Sequence, residues 1–359
     1  MTLLTRRHLL AALAAAPVCA RAALRQRVTL GAAWRGPAAD DAQQIGLLDV
    51  DWTRRSITIR RAVTLPSRAH GLLADGDGAV IGMAARPGRW LLRMDPDGRV
   101  ARQQTIEGEG RSFDGHVIAS ADGRWLYTGE TDAHGQGWLS VRERTSFRKA
   151  DEWRTHGIDP HQMVLDAQGQ LLLANGGIAR TADGRKRDLD RMRSSLVRLD
   201  HRDGTLLGQW TLDDARLSLR HLAWSDDGRR LGIALQAEHD DTAARARAPL
   251  LATFDGERLA LPGAEAQGEG YAGDIAAVPA GGFAVSAQRA KRGLAWWPQR
   301  GSAMARFAEV EEPCALAADI DGALLMACGA GLARWHPTEG AAMLRWPQPM
   351  ALDNHWVVV

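Results

Sequence analysis

"HGIDPHQMVLDAQGQLLLANGG", residues 156–177, sets a histidine, His161, a few residues ahead of a short turn, with an apolar run on each side of that turn. Three other stretches repeat the arrangement: "RAHGLLADGDGAVIGMAAR" from Arg68, "FDGHVIASADGRWLYTGE" from Phe113 and "RHLAWSDDGRRLGIALQ" from Arg220. Asp-Gly between apolar runs signals a hairpin, because a tight turn needs residues that tolerate positive φ. The turn markers are Asp77-Gly78, Asp122-Gly123, Gln168-Gly169, Asp227-Gly228, Gly281-Gly282 and Asp321-Gly322. A strand-like run precedes each turn ("HVIAS", "HQMVL", "HLAWS", "CALAA") and another follows it ("RWLYTGE", "QLLLANG", "RLGIALQ", "ALLMACG"). Further runs such as "GWLSVRE" and "SSLVRLD" come later in each unit, and helical periodicity is nearly absent.

Four strands recurring in roughly 45 residues are the pattern of a β-propeller blade. Six turns predict six blades. The chain ends in "DNHWVVV", a strand with no turn after it, and begins with "RVTLGAAW", "QIGLLDVDW" and "SITIRRAV", with no inner strand before them. Joined, they complete a seventh blade and remove the edges that an open sheet would expose. The expected fold is all-β: a seven-bladed β-propeller of four-stranded blades, closed by the C-terminal strand, over residues 23–359 as one domain. A pair of β-sandwiches would leave the shared period and the orphan strands unexplained.

Residues 1–22 read as an export signal. Arg6 and Arg7 are its positive region, and Leu9 to Ala16 an apolar run too short to span a bilayer. Ala20-Arg21-Ala22 is a small-x-small cleavage site, and the adjacent arginines resemble a twin-arginine signal. Cys19 follows a valine, which argues against a lipid anchor. The expected location is the periplasm, with cleavage near Ala22. Removing this segment, which carries Arg6, Arg7 and Arg21 and no acid, takes the formal charge from +2 to −1. A near-neutral chain has no long-range field to gather phosphates, which argues against nucleic-acid binding. No later segment is apolar enough for an integral membrane span, and a monomer is expected.

Aligned by their turns, the blades put His70, His116, His161 and His221 at one level of the central channel, with Asp274, Cys314 and His355 beside them. A second, wider ring is expected from Arg35, Arg86, Glu130, Asn175, Gln236, Gln288 and Cys328. Imidazoles with a carboxylate and a thiolate suit iron, copper or zinc. The expected metal ligands are His70, His116, His161 and His221, with Asp274 and His355 secondary; which of them converge stays open. Polar packing of the channel mouth and acid–base catalysis are the alternatives. Arg68 and Arg220, each beside a ring histidine, could instead hold an anionic ligand. Unperturbed imidazoles would release a metal as they protonate near pH ~6.5.

Other chemistry is sparse. "GEGRSF" at Gly108 lacks the lysine of a phosphate loop, no Gly-x-Ser-x-Gly elbow is present, and no Cys-x-x-Cys-His site for covalent haem exists. No nucleotide cofactor is expected. "RTADGRKRDLDRMRSS" from Arg180 reads as a charged, solvated insertion in which "DLDRMRSSL" could make one helical turn. "EHDDTAARARAP" from Glu238 is a second polar excursion, where His239, Asp240 and Asp241 are read as solvated. A two-residue turn at Asp321-Gly322 would put Cys314 and Cys328 on opposite faces of their hairpin, against a disulfide.

"HGIDPHQMVL", "LLLANGGI", "DLDRMRSSLVRLD", "LSLRHLAW", "GYAGDIAAV", "EEPCALAAD" and "DNHWVVV" occur in order. Together they resemble the family called domain of unknown function 1513, across nearly the whole chain after residue 22. Val117 stands after His116 where a Gly-His-Gly pattern is expected. The resemblance implies an exported bacterial propeller of YVTN or quinoprotein-like type, often with a twin-arginine signal. It implies no established reaction. Its gene neighbourhood, with imelysin-like iron-uptake proteins and a di-haem thiol-oxidoreductase-like protein, implies periplasmic iron handling and partners of that kind. The expected function is therefore a propeller whose histidine-rich mouth binds a metal or small ligand as an accessory of iron acquisition. A metal-dependent enzyme, lactonase-like or oxidoreductase, and a docking platform are the rivals.

Overall fold

The computed structural model describes residues 27–263, 268–336 and 339–359, so the expected export signal lies outside it. Strands β1 (Arg27–Arg35), β2 (Gln44–Asp51) and β3 (Ser56–Thr64) come first. Six four-stranded units follow: β4–β7 in residues 69–105, β8–β11 in 111–154, and β12, β13, β16 and β17 in 160–210. The next are β18–β21 in 217–260, β22–β25 in 275–309 and β26–β29 in 316–345. Strand β30 (Ala351–Val358) is innermost in a sheet ordered β3-β2-β1-β30, so it closes the ring as the orphan strands predict. The fold is a seven-bladed propeller.

Burial explains the strand composition. The second strand of a blade is covered by both neighbouring blades, so β5 (Val80–Ala84), β13 (Leu171–Asn175) and β27 (Leu324–Cys328) are buried along their whole length. The outermost strand faces water, and β7 (Val100–Thr105) is accordingly polar and exposed. The core lies between blades: Leu172 and Leu196 of the third pack with Leu219, Ile233 and Phe254 of the fourth. The turn glycines have the positive φ that their hairpins require, from 67° at Gly228 to 87° at Gly322.

Two excursions are more ordered than their composition suggests. The charged insertion in the third blade folds into a small hairpin, β14 (Ala179–Arg180) with β15 (Lys186–Arg187), followed by a 3-10 turn at Leu189–Arg191. The stretch after Glu238 forms a short helix, α1 (Thr242–Ala246), whose first turn is capped by Asp241. There His239 pairs with Asp214 at 3.0 Å and Asp240 pairs with Arg216, so these groups tether the loop.

The inner strands form the wall of the channel, each touching the next. They are β4 (Ala69–Ala74), β8 (Arg111–Ala119), β12 (Pro160–Leu165), β18 (Leu217–Trp224), β22 (Ile275–Val278), β26 (Leu316–Ala318) and β30.

Candidate functional site

Each of the five inner strands that carry a channel histidine breaks its pairing at that residue. The register slips between Ala69 and Leu72 around His70, and between Phe113 and Val117 around His116. It slips between Pro160 and Met163 around His161, and between Leu219 and Leu222 around His221. In the closing blade, the partners of Ala32 and Trp34 are Trp356 and Leu352, which leaves Asp353, Asn354 and His355 in the break. A bulge bends the strand and re-aims its side chain. Five imidazoles thereby leave the wall and meet, with ring centroids 4.3 Å apart for His221 and His355, 4.5 Å for His161 and His221, and 4.8 Å for His70 and His116. All five are buried.

Glycine makes the approach possible. Gly115 has φ +104°, and a Cβ there would lie 2.8 Å from the His70 ring. A Cβ on Gly71 would meet the Gly115 carbonyl at 2.2 Å.

The ligand-capable atoms of His70, His116, His161 and His221 lie within 4.8 Å of one another, and so do those of His221, Asp274 and His355. His221 is common to both groups. Its Nε2 stands 2.8 Å from His161 Nε2 and 2.9 Å from His355 Nε2. Hydrogen-bond logic sets the outer tautomers. Arg86 donates to His161 Nδ1, and a guanidinium has only donors, so the proton of neutral His161 sits on Nε2. His355 Nδ1 faces Asp274 Oδ1 at 3.2 Å, and a neutral ring that donates there has its lone pair on Nε2. His221 Nε2 can accept from His161 or donate to His355, but not both. Either choice leaves one clash of like groups and strands His221 Nδ1, which is buried without a partner. His116 Nε2 is also buried and unpartnered. A further cation, either a proton or a metal ion, would remove that clash.

A proton is a poor way to supply it. Burial, reinforced by neighbouring cationic groups, holds the His116, His161 and His221 imidazoles well below their ordinary value of 6.5. Burial takes His70 down to about 3, although Asp353 pulls the other way. The protonation near pH ~6.5 expected for unperturbed imidazoles therefore does not apply to these four.

The sequence reading missed several groups around the cluster. Asp353 faces His70 Nδ1 at 3.3 Å and accepts from Arg68 at 2.5 Å. Burial raises its carboxyl, but those two partners outweigh this and hold it below the usual range. Asp159, on the other side, pairs with Arg86, with Arg180 at 3.1 Å and with Arg220 at 2.8 Å. Arg68 and Arg220 are thus committed to carboxylates. Burial would raise Asp159, yet Arg220, Arg86 and Arg180 bring it down to about 2. Asp114 accepts from Thr131 at 2.6 Å, and burial lifts its carboxyl to about 7. A signal for these acids was present: "DGH" at 114–116, "DPH" at 159–161 and "DNH" at 353–355 repeat one spacing.

Asp274 stands behind His355, with its carboxylate also accepting from the Ile275 and Leu316 backbone amides at 2.9 and 2.8 Å. Cys314 is outside the cluster: its thiol bonds the Ala327 carbonyl at 3.6 Å, and burial pushes its pKa up. It and Cys328 are free. The loop between them runs from Asp319 to Ala323, longer than two residues. Of the second ring, Arg86 reaches the cluster, and Gln288 bonds Asn354 at 2.9 Å beside it. Arg35 caps its own loop, Glu130 pairs with Arg142 at 2.8 Å, Asn175 bonds the Thr155 carbonyl and Gln236 that of Ala272.

Solved structures with the same fold include a putative 6-phosphogluconolactonase from Bacteroides uniformis, 14% identical with TM-score 0.61, covering 93% of this chain and 100% of that one. Hydrazine synthase from Kuenenia stuttgartiensis is 13% identical with TM-score 0.60, covering 85% and 92%. Virginiamycin B lyase from Staphylococcus aureus is 11% identical with TM-score 0.57, covering 84% and 95%. At these identities the likeness is one of fold. No curated protein matches the sequence. No helix among the described residues is long and apolar enough to cross a membrane. The family model described as "Protein of unknown function (DUF1513)" matches residues 63–359, which carry all five histidines and both carboxylates behind them, and the chain belongs to that family.

Proposed function

We propose that the histidine cluster binds one transition-metal ion in a periplasmic protein that serves iron acquisition. His70, His116, His221 and His355 hold the ion, with His161 flanking it. The observation that carries this reading is the proton conflict at His221, which a metal ion relieves by accepting lone pairs that otherwise face one another. Asp353 behind His70 and Asp274 behind His355 form carboxylate–histidine pairs, which fix the ring tautomer and strengthen the nitrogen donor. Neutral nitrogen donors suit iron, copper or zinc, and the family's association with iron-uptake genes favours iron. A lactonase-like calcium site would call for oxygen ligands, which the centre of the cluster does not offer.

The test is elemental analysis of the protein purified from its native host without chelator or affinity tag. A variant carrying His116→Ala and His221→Ala, checked for native circular dichroism, is the control. Near-stoichiometric metal in the parent and none in the variant is expected. Absence of metal from the parent, before and after incubation with ferrous, cupric or zinc ions, would sink the proposal.

A further inference from the structure

A cavity of about 310 Å³ opens beside the histidine cluster, between the first three blades and the β14–β15 hairpin. Its wall includes Arg86, Arg180, Asp114, Asp159, Ser112 and the apolar Ile178. The charges are unbalanced where it meets the cluster. Three guanidinium groups, on Arg86, Arg180 and Arg220, share the single carboxylate of Asp159. Counting Asp114 as a second carboxylate still leaves the cations in excess. They are largely withdrawn from water: the side chains of Arg86, Arg180 and Arg220 are 14%, 22% and 2% exposed, and Asp159 is fully covered. Arg220 does not line the cavity itself: it holds Asp159 at 2.8 Å, while its Nε and Nη2 are buried without an acceptor. A buried cation without a counter-charge is costly, and a guanidinium fork matches the paired oxygens of a carboxylate or phosphate.

We propose that this cavity binds a small organic oxyanion, with its charged end on Arg86 and Arg180 and its carbon skeleton against Ile178 and Pro87. The volume is at the small end of ligand pockets, which suits a short acid or phosphate ester rather than a polymer. The β14–β15 hairpin supplies Arg180 and Thr181, so the charged insertion forms part of the wall. The site does not require a metal. Arg86 nevertheless belongs to both places, since it also donates to His161.

The experiment is calorimetric titration of the full chain, before and after passage over a chelating resin, at fixed ionic strength. The probes are citrate, malonate, glycerol 3-phosphate and inorganic phosphate. One-to-one saturable binding of at least one probe to the stripped protein is expected, weakened at least tenfold by Arg180→Gln and largely kept by Arg180→Lys. A preference for the acids or for the phosphates assigns the class of the natural ligand. Absence of saturable binding at millimolar concentration, or equal affinity in Arg180→Gln, overturns the proposal. Because the stripped protein is measured separately, failure here is distinct from failure of the metal reading.

Discussion

Neutral imidazole is the form that binds a metal, and the cluster favours it at His70, His116, His161 and His221 by drying them. This has a measurable sign. A histidine whose folded pKa lies below its unfolded value of ~6.5 takes up a proton more readily when the chain is unfolded. Its contribution to stability is then complete above that pH and is lost as the pH falls, for His70 over the window down to about 3. Urea titrations of metal-free protein should show stability declining below pH ~6.5, by up to about 1.4 kcal/mol per pH unit for each such histidine. His70→Gln should flatten the decline, and a flat profile in the parent would contradict the burial argument. The carboxylates behind the cluster make a second case. Asp353→Asn leaves His70 with a weaker partner and should lower metal affinity by roughly 10- to 100-fold with stoichiometry kept, read by competition with a chelating dye.

Among elements, the bulges decide what the site is. Gly115→Ala would put a Cβ against His70 and force a non-glycine residue to φ +104°, so it should destabilise the protein by ~1–3 kcal/mol in chemical denaturation. An unchanged midpoint would mean that the second and first blades are not held as tightly as this contact requires. The hairpins were legible in the sequence because Asp-Gly is a local signal: the two residues at each turn carry the conformation themselves. The channel level was legible too, since counting back from each turn places His70, His116, His161 and His221 together, and the split blade adds His355. The convergence was not, because a bulge depends on the register with the adjacent strand. Asp274 and Cys314 share the level but precede the first residues of β22 and β26, outside any such break. A ring of seven positions was expected; five imidazoles meet, with Asp274 behind His355 and Cys314 outside the cluster. The acids of the three Asp-x-His repeats were visible, yet their partners lie on other blades or loops, which spacing along one strand does not reveal.

For the whole molecule, closure by β30 is the critical contact. Removing residues 351–359 would take the inner strand from the closing blade and leave β1 with an open edge. The shortened chain should lose its single cooperative transition in scanning calorimetry and gain a tendency to aggregate through that edge. A sharp transition at the parent temperature would show that the other six blades hold the ring without it. Strand β30 also carries Asp353 and His355, and the Val359 amide after it bonds the Thr29 carbonyl at 3.0 Å. Closing the ring and completing the polar centre are therefore a single event: until β30 pairs with β1, His70 lacks the carboxylate behind it and the cluster lacks its fifth imidazole.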